Sequence, residues 1–326
     1  MKQRIIIGLS VLFLILAVLL IGFDLFRNKN ADIRSSSLMG EMPLIKQFDT
    51  SLVGFVREKL WETGLNSLTG ISINDDRVIV CGDSLVAIYD TIGHKTFEFM
   101  IDSPATCIYI TGNSILIGMQ SAAIRTDFSG NIISRFEIPF SGSRVTSITS
   151  DGNYVYIADA GKKRVLKFDN QGRFVKEFSR KDCCADGKGF IIPGPYFDIA
   201  ISGDNNLWIV NPGKLRIEKY SVAGKLQSGW GEDLDPDTRF SGHYNPVHFG
   251  LLPDGGFVTY EKGNDKIKVF DREGKFRAMV GGAGSFKGKS DFMPGSKNLV
   301  KDLATDQSGR IYILDAYNKV NVYRSK

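Results

Sequence analysis

The stretch "DGNYVYIADAGKKRVLKFDNQGRFVKEF", from Asp151 to Phe178, decides the fold. It contains three short runs rich in β-branched and aromatic residues, separated by Gly- and Asn-containing turns that suit antiparallel hairpins. Related stretches begin at Ile73, Thr111, Ser202, Leu252 and Asp306. The plan therefore occurs six times, and a further short apolar run precedes most copies, which gives four strands per copy.

The innermost strand of each copy is predicted to start at an equivalent position. These starts are Gly70, Cys107, Ser147, Asp198, His248 and Asp302. Four-stranded units at spacings of roughly 40 to 50 residues are typical of a β-propeller, in which each sheet buries both faces against its neighbours. We predict an all-β protein: one six-bladed β-propeller of four-stranded antiparallel blades, spanning residues 42–326, with no second domain.

The last copy ends at Lys326 without a fourth strand. The segment "MPLIKQFDT", Met42–Thr50, resembles the outer strand "RFVKEFSR" of an earlier copy. We therefore expect Met42–Thr50 to complete the last blade and close the ring. Closure of this kind removes an exposed sheet edge and ties the two ends of the domain together.

The N-terminus contains an uncharged run of 19 residues, Ile5–Phe23. A helix of this length is close to the thickness of a bilayer. A cleaved signal peptide is the alternative, but the run is long for one and no small-residue cleavage site follows it. We predict a transmembrane signal anchor over residues 5–26, after a short tail at residues 1–4, and a polar spacer at residues 27–41.

Charge gives two further expectations. The basic residues Lys2 and Arg4 precede the apolar run, and Arg27 and Lys29 follow it. The number of basic residues is therefore equal on the two sides of the run, and this count favours neither orientation. We favour the propeller on the periplasmic or extracellular side because short charged N-termini usually stay inside. Most of the net charge of +5 lies in this region. A nearly neutral propeller argues against nucleic acid as a partner.

The pattern G-x-[LIV]-[YW]-[VI]-x-[DN]-x-x-x-x-[RK]-[IV]-x-x-[FY] resembles the NHL repeat. It fits best at Asn206–Tyr220 and Gly309–Tyr323, and well at Tyr154–Phe168 and Gly256–Phe270. The resemblance covers most of residues 70–326 and implies the propeller fold, as in membrane-anchored bacterial NHL-repeat proteins without an assigned role. NHL propellers include RNA binders, protein binders, sensor domains and a copper/zinc lyase, so the resemblance does not select one function.

Three connections between predicted blades are long and rich in Gly and Pro, and they lie on the face where the innermost strands start. Long ordered loops on one side of a rigid scaffold usually carry recognition. We predict a binding rim there; the alternative is that these loops only cap one another. The rim residues are Tyr196, Trp230, His243, Tyr244, Phe286 and Phe292.

Asp198, His248 and Asp302 are predicted to converge at the channel mouth. Two acids and an imidazole can bind a divalent metal or act as acid and base. The alternative is that both acids accept backbone N–H groups at strand starts. The NHL lyases use several histidines from different blades, whereas this chain has only three, and one of them, His94, falls in a hairpin turn.

Two further candidates lie in the long loops. Cys183 and Cys184 are adjacent, and a disulfide between them would be strained and reducible, which suits redox sensing; the alternatives are an inert loop pair and an ordinary strained cross-link. The carboxylates of Glu232–Arg239 are a weak candidate for calcium. The remaining cysteines, Cys81 and Cys107, fall within strands and are expected to be small core residues.

A polar residue recurs at the end of the second strand of four copies, and a basic residue follows a few positions later. We interpret each pair as a structural tie within its blade. The pairs are Asp159 with Arg164, Asn211 with Arg216, Glu261 with Lys266, and Asp315 with Lys319.

No nucleophile–base arrangement, phosphate loop or dinucleotide fingerprint is present. We therefore predict a membrane-anchored, extracytoplasmic binding module for a protein or extracellular ligand, without a required cofactor. The alternative is a metal-dependent lyase or hydrolase near Asp198, His248 and Asp302. The sequence does not define the oligomeric state.

Overall fold

The computed structural model describes residues 50–74, 76–138, 141–179, 189–231, 238–263, 265–282 and 299–326. Within these ranges the chain forms 24 β-strands that make six sheets of four strands each. Neighbouring strands in each sheet are antiparallel. The prediction of an all-β, six-bladed propeller of four-stranded antiparallel blades is confirmed.

The chain enters through a 3-10 turn at Thr50–Leu52 and strand β1 (Phe55–Glu62). Blade 1 consists of β2 (Leu68–Asn74), β3 (Arg77–Gly82), β4 (Leu85–Asp90) and β5 (Lys95–Met100). Blade 2 consists of β6 (Ala105–Thr111), β7 (Ser114–Met119), β8 (Ala122–Thr126) and β9 (Ile132–Glu137). Blade 3 consists of β10 (Val145–Ser150), β11 (Tyr154–Asp159), β12 (Arg164–Asp169) and β13 (Phe174–Phe178).

Blade 4 consists of β14 (Ile199–Ile201), β15 (Asn206–Asn211), β16 (Arg216–Ser221) and β17 (Leu226–Trp230), with a 3-10 turn at Pro212–Lys214. Blade 5 consists of β18 (His248–Leu251), β19 (Phe257–Glu261), β20 (Lys266–Phe270) and β21 (Phe276–Gly281). Blade 6 consists of β22 (Val300–Thr305), β23 (Ile311–Asp315), β24 (Lys319–Ser325) and, as its outer strand, β1.

Blade 6 is closed by β1, which pairs with β24 from Phe55 opposite Ser325 to Glu62 opposite Lys319. The assignment of this role to Met42–Thr50 is therefore corrected, because β1 occupies the outer edge of β24. Residues 42–49 lie outside the described ranges, and Thr50 begins the 3-10 turn. Most side chains of β1 are exposed or half-buried, so its sequence carries little of the apolar signal that marks an inner strand.

The core lies between blades. Ile79 and Ile88 of blade 1 pack with Ile115 and Ile117 of blade 2, and corresponding clusters join the following blades. The second strand of each blade is almost wholly buried, because both of its faces meet a neighbouring sheet. This two-sided burial explains the continuous apolar runs that marked the repeats.

An aromatic ring also joins the outer wall of one blade to the next. Trp61 of blade 6 lies against Gly93 in the outer hairpin of blade 1, and Trp230 of blade 4 lies against Gly274 in that of blade 5. Both glycines have φ above +80°, and a Cβ atom on either would lie within 3 Å of the indole ring. The turn therefore requires glycine for its backbone conformation and for the contact.

The direction of the strands defines two faces of the ring. Each innermost strand starts at the face where the connections between blades lie, which we call the mouth face. The second strand runs back to the mouth face, and the outer hairpins lie on the opposite side, which we call the far face. The described residues contain no helix that is long and apolar enough to cross a bilayer. The predicted tail, anchor and spacer, residues 1–41, lie outside the described ranges.

The contact between Trp61 and the Gly93 turn predicts a cost for loss of the indole. Trp61→Ala removes apolar contacts with the core shared by blades 1 and 6, and we expect the free energy of unfolding to fall by about 2–4 kcal/mol. The neighbouring Leu60 is 46% exposed, so Leu60→Ala is the matched control and should change stability by less than about 0.5 kcal/mol. Urea denaturation of both variants tests this; equal stability would show that the indole does not hold the blades together.

Candidate functional site

The innermost strands surround a central channel with a volume of about 1250 Å³. Five of the six predicted strand starts line it: Cys107, Ser147, Asp198, His248 and Asp302. In four blades the register shifts beside this position, because an extra residue is accommodated at the start of the strand. Titratable side chains thus occupy the channel mouth on blades 4 to 6, while Gly70, Cys107 and Ser147 stand at the equivalent positions of blades 1 to 3.

Asp198, His248 and Asp302 converge as predicted. The imidazole Nδ1 of His248 lies 3.7 Å from Asp198 Oδ2 and 3.8 Å from Asp302 Oδ1. One ligand atom from each of the three side chains lies within 4.8 Å of the other two. These separations exceed a direct hydrogen bond but allow strong charge attraction in a largely buried site. The group is a candidate metal or acid–base centre, and its members come from three different blades.

Both carboxylates also tie neighbouring blades together. Asp198 accepts hydrogen bonds from Ser147 Oγ at 2.6 Å on blade 3 and from Phe249 N at 3.1 Å on blade 5. Asp302 accepts one from Ile71 N at 2.9 Å, which links blade 6 to blade 1. The structural interpretation offered above is therefore correct for both acids. It does not exhaust them, because Asp198 Oδ2 and both carboxylate oxygens of Asp302 each accept a single hydrogen bond and keep a further lone pair.

Two tyrosines fix the ring of His248. Tyr196 meets it edge-on at 6.0 Å between ring centroids, and Tyr260 stacks at 6.3 Å with 15° between the planes. The Tyr260 hydroxyl donates to Asp265 at 2.7 Å, so its ring is held in turn. The imidazole is thus oriented by packing before any ligand arrives.

The environment shifts the titration of this group. Burial raises the pKa of Asp302 to about 7; the charge of Asp198 adds to this effect, and His248 opposes it. Burial alone lowers the pKa of His248, but its interaction with Asp198 and the charges of Asp302 and Asp198 raise the pKa overall. Asp302 and His248 are close enough that their titrations are coupled, so this pair changes its protonation near neutral pH.

Part of the predicted rim is formed beside the mouth. His243 and Tyr244 lie 6.1 Å apart between ring centroids, and Tyr244 is 45% exposed. The ammonium group of Lys262 lies over both tyrosines of the rim, 4.7 Å from the ring of Tyr196 and 5.9 Å from that of Tyr244. Tyr196, His243, Tyr244 and Lys262 therefore form one surface, which we call the aromatic rim.

Lys262 and Asn245 were missed by sequence reasoning. The buried amide of Asn245 joins the two loops, because its Oδ1 accepts from Lys262 N at 3.0 Å and its Nδ2 donates to Lys262 O at 3.2 Å. Sequence reasoning did not find them because Lys262 and the residues that it contacts lie on different loops. The only local signal is the polar side chain of Asn245 next to Pro246 in a loop that was already expected to be ordered.

Trp230 has a different role from the predicted one. Its indole packs against Phe240, Phe257 and Phe270 at 4.9 to 5.3 Å between ring centroids, in the interface of blades 4 and 5. We therefore assign Trp230 to packing rather than to the rim. Phe286, Phe292, Cys183, Cys184 and residues 232–237 lie outside the described ranges. Cys81 and Cys107 are buried and free, as small core residues.

The recurring polar residues hold the loops of the mouth face. Asp159 pairs with Arg164 at 3.0 Å as predicted, and it also accepts from Arg144 N at 2.9 Å in the loop that enters blade 3. Glu261 uses Lys268 at 2.7 Å instead of the predicted Lys266, and it accepts from Ser241 N at 3.0 Å.

The other two ties use amides. Asn211 donates to Glu218 at 3.2 Å and accepts from Ile191 N at 3.0 Å, and Asp315 accepts from Asn321 at 2.9 Å. The residue at this repeated position therefore forms a structural tie in each of these four blades, although its partner differs from blade to blade.

Comparisons with solved structures support the fold. The WD40 β-propeller domain of Doa1 covers 81% of this chain and 80% of its own, with a TM-score of 0.56 at 12% identity. Virginiamycin B lyase from Staphylococcus aureus covers 83% of this chain and 100% of its own, with a TM-score of 0.56 at 15% identity. A protein of unknown function from Bacteroides thetaiotaomicron gives a TM-score of 0.58 at 13% identity, with 79% and 69% covered.

At these identities the likeness shows the propeller fold alone. No protein-family profile matches the chain, and no curated protein matches it. The resemblance to the NHL repeat therefore stays a prediction.

The raised pKa of Asp302 predicts how its contribution to stability depends on pH. The pKa of Asp302 is about 7 in the folded state and 3.8 in the unfolded state. A carboxyl group with this difference stabilises the fold below pH 3.8, and this contribution is lost as the pH rises through 7. In metal-free buffer, the stability of the wild type relative to Asp302→Asn should fall by roughly 2–4 kcal/mol between pH 4 and 8. Urea denaturation across this range measures the difference.

Asp254→Asn is the matched control at the far end of the channel. Burial of Asp254 raises its pKa, but hydrogen bonds from Gly256 and Arg277 lower the pKa overall. The contribution of Asp254 to stability is therefore present above pH 3.8 and is lost as the pH falls. The two variants should therefore show opposite trends. A wild type that gains stability over Asp302→Asn with rising pH would contradict the raised pKa.

Proposed function

We propose that the protein is a binding module and that its mouth face takes a small ligand with a carboxylate or phosphate group. The observation that carries the proposal is Lys262: its ammonium lies over the rings of Tyr196 and Tyr244 at the mouth, and no carboxylate of the described residues pairs with it. Burial lowers the pKa of Lys262, as expected for a partly desolvated cation without an acidic partner.

Two more cations support an anionic ligand. Arg144 and Lys301 line the same channel as Tyr196 and His248, are exposed, and form no ion pair within the described ranges. At the far end of the channel, two cations are neutralised, since Lys219 lies 2.9 Å from Asp204 and Arg310 lies 3.6 Å from Asp306, while Arg272 donates to the backbone oxygen of Asp254. Three cations without an ion-pair partner among the described residues therefore lie at the mouth, where they attract anions.

The aromatic rim adds apolar contact to this charge. Tyr244 is half-exposed and Tyr196 partly buried, so both present ring surface at the channel mouth. A flat or apolar portion of the ligand can stack on these rings while its acidic group meets Lys262. A protein partner that presents an acidic segment carries the same chemistry and is the alternative occupant.

The module is proposed to be held at a membrane. Residues 5–26 supply the anchor, residues 27–41 the spacer, and the propeller lies on the periplasmic or extracellular side. The support is the uncharged run Ile5–Phe23. Within this proposal the propeller is of the NHL type, supported by the repeat pattern at Asn206–Tyr220 and Gly309–Tyr323.

The anionic site is tested with citrate and inorganic phosphate as probes. Isothermal titration calorimetry at constant ionic strength should show binding of at least one probe to the wild type. Lys262→Gln and Arg144→Gln should each weaken it about tenfold, because a charged hydrogen bond contributes about 1.5–3 kcal/mol. Lys225→Gln, in an exposed outer hairpin of the far face, is the control and should leave the affinity unchanged. Equal affinity of all four proteins, or no binding of either probe, would count against the site.

A second candidate is metal-dependent lyase or hydrolase activity at Asp198, His248 and Asp302. The donor set fits a divalent transition metal, since two carboxylates and an imidazole converge within 4.8 Å and the carboxylates retain free lone pairs. A bound metal there would supply Lewis-acid chemistry. The neighbouring rings of Tyr196 and Tyr260 would hold the imidazole in place, and the small residues of blades 1 to 3 would leave room for substrate opposite.

Metal binding distinguishes this candidate. Titration of EDTA-treated protein with Mn²⁺ or Zn²⁺ should show one equivalent bound, and His248→Ala should abolish it. His94→Ala, at an exposed hairpin turn, is the matched control and should bind like the wild type. Substoichiometric uptake, or uptake that survives His248→Ala, would exclude a metal centre at this cluster and leave the anionic binding site as the sole proposal.

A further inference from the structure

Three basic residues lie together at the mouth end of blade 3. Arg144 is in the loop that enters the blade, and Lys162 and Lys163 are in the turn between β11 and β12. All three residues are exposed, and none of them forms an ion pair with a described residue. We call Arg144, Lys162 and Lys163 the basic cluster. Blade 3 therefore presents three positive charges on the mouth face.

A single carboxylate holds the two segments of the basic cluster together. Asp159 Oδ1 accepts the backbone N–H of Arg144 at 2.9 Å and that of Lys162 at 3.2 Å, and Ala160 N donates to Arg144 O at 2.8 Å. A Cβ atom on Gly142 would lie 3.7 Å from the ammonium nitrogen of Lys162, so this side chain returns over the loop that carries Arg144. The fold therefore keeps these cations close together, at a cost in mutual repulsion.

The nearby carboxylates do not neutralise the basic cluster. Asp159 is buried and shares the guanidinium of Arg164 with Glu177, at 3.0 Å and 2.8 Å respectively. Glu137, at the mouth end of β9 in blade 2, is exposed and forms no ion pair with a described residue. Asp198 on blade 4 belongs to the channel-mouth group described above. Among the described residues, the three cations are thus left for an external anion.

The backbone of the basic cluster is strained at Lys163. Its φ is +55°, and the residues that precede the third strand of blades 4 to 6 share this left-handed conformation: Leu215, Asp265 and Asn318. In those blades the side chain serves the structure, because Leu215 packs into the core, Asp265 accepts from a tyrosine hydroxyl and Asn318 accepts from a backbone N–H. Lys163 is exposed, and a long side chain is disfavoured in this conformation. Strain without a structural contact points to a functional role.

A phosphate monoester matches the basic cluster better than a carboxylate does. A phosphate monoester carries a charge of about −1.5 to −2 at pH 7 and three strong acceptor oxygens, whereas a carboxylate has a single charge and two oxygens. The guanidinium of Arg144 is a planar fork that suits phosphate, and the two ammonium groups act as point charges. Arg144 also lines the channel, which places the cluster at the edge of the channel mouth.

We infer that the basic cluster binds the phosphate monoester group of a small solute. This goes beyond the function proposed above: the site shares Arg144 with the proposed anionic mouth, but it requires neither Lys262 nor the aromatic rim. The acceptor oxygens of the phosphate meet the three cations and relieve the repulsion among them. A phosphate group that is carried by a protein is the outcome that the test must separate.

Isothermal titration calorimetry with methyl phosphate is carried out on the Lys262→Gln protein, which lacks the cation of the aromatic rim. Binding should remain there, and the addition of Lys162→Gln or Lys163→Asn should weaken it about tenfold, because each removes a charged hydrogen bond. Lys225→Gln, at an exposed hairpin of the far face, is the matched control and should leave the affinity unchanged. Acetate, a monoanion, should bind about tenfold more weakly than methyl phosphate.

Lys163→Asn also separates binding from folding. Asparagine tolerates the left-handed conformation better than lysine does, so this variant should unfold at a urea concentration no lower than that of its parent protein while it binds less ligand. A lower unfolding midpoint would contradict the argument from strain. The variant thus tests whether the residue at this position is retained for the ligand rather than for the fold.

Complete loss of methyl phosphate binding in the Lys262→Gln protein would overturn the inference and leave the proposed function standing. Equal affinity after Lys162→Gln and Lys163→Asn would overturn it as well. Binding that survives Lys262→Gln and is lost in both cluster variants would support it even if the aromatic rim bound no ligand. Equal binding of acetate would refute the choice of phosphate, and a phosphoserine peptide that binds far more tightly than methyl phosphate would refute the small solute.

Discussion

Closure of the ring between blades 6 and 1 is the constraint on which the rest of the molecule depends. No blade can bury both of its faces alone, so the sheets are stable only when the circle is complete. Two sets of bonds complete it: β1 pairs with β24 along its length, and Asp302 accepts the backbone N–H of Ile71 across the join. The channel, its mouth and the loops around it exist in their observed positions because this join holds.

The same constraint explains why structure and candidate chemistry use the same atoms. The six inner strands start at the channel mouth, and the backbone N–H groups there need acceptors. Asp198 and Asp302 meet that need and at the same time bring two carboxylates to His248. The strand starts of blades 4 to 6 therefore carry titratable side chains, whereas those of blades 1 to 3 carry Gly70, Cys107 and Ser147, which are small and uncharged.

Much of this arrangement could be read from the sequence, because inner strands carry a strong signal. Their two-sided burial gives long apolar runs, and the equivalent starts of the repeats placed Asp198, His248 and Asp302 together correctly. The closing strand could not be located, since β1 is half-exposed and pairs through its backbone. Lys262 was missed because its neighbours, Tyr196 and Tyr244, come from other loops. Trp230 looked like a loop aromatic, and only its three ring contacts show that it is a packing residue.

The direction of β1 has a mechanical consequence. Its backbone bonds to β24 run from Phe55 opposite Ser325 to Glu62 opposite Lys319, so a load directed along the axis of β1 places the whole pair in shear. Such a load is shared by all the bonds of the pair at once, whereas a pull across the strand would break them one by one. The seam that completes the circle therefore resists a load along β1 better than a load across it.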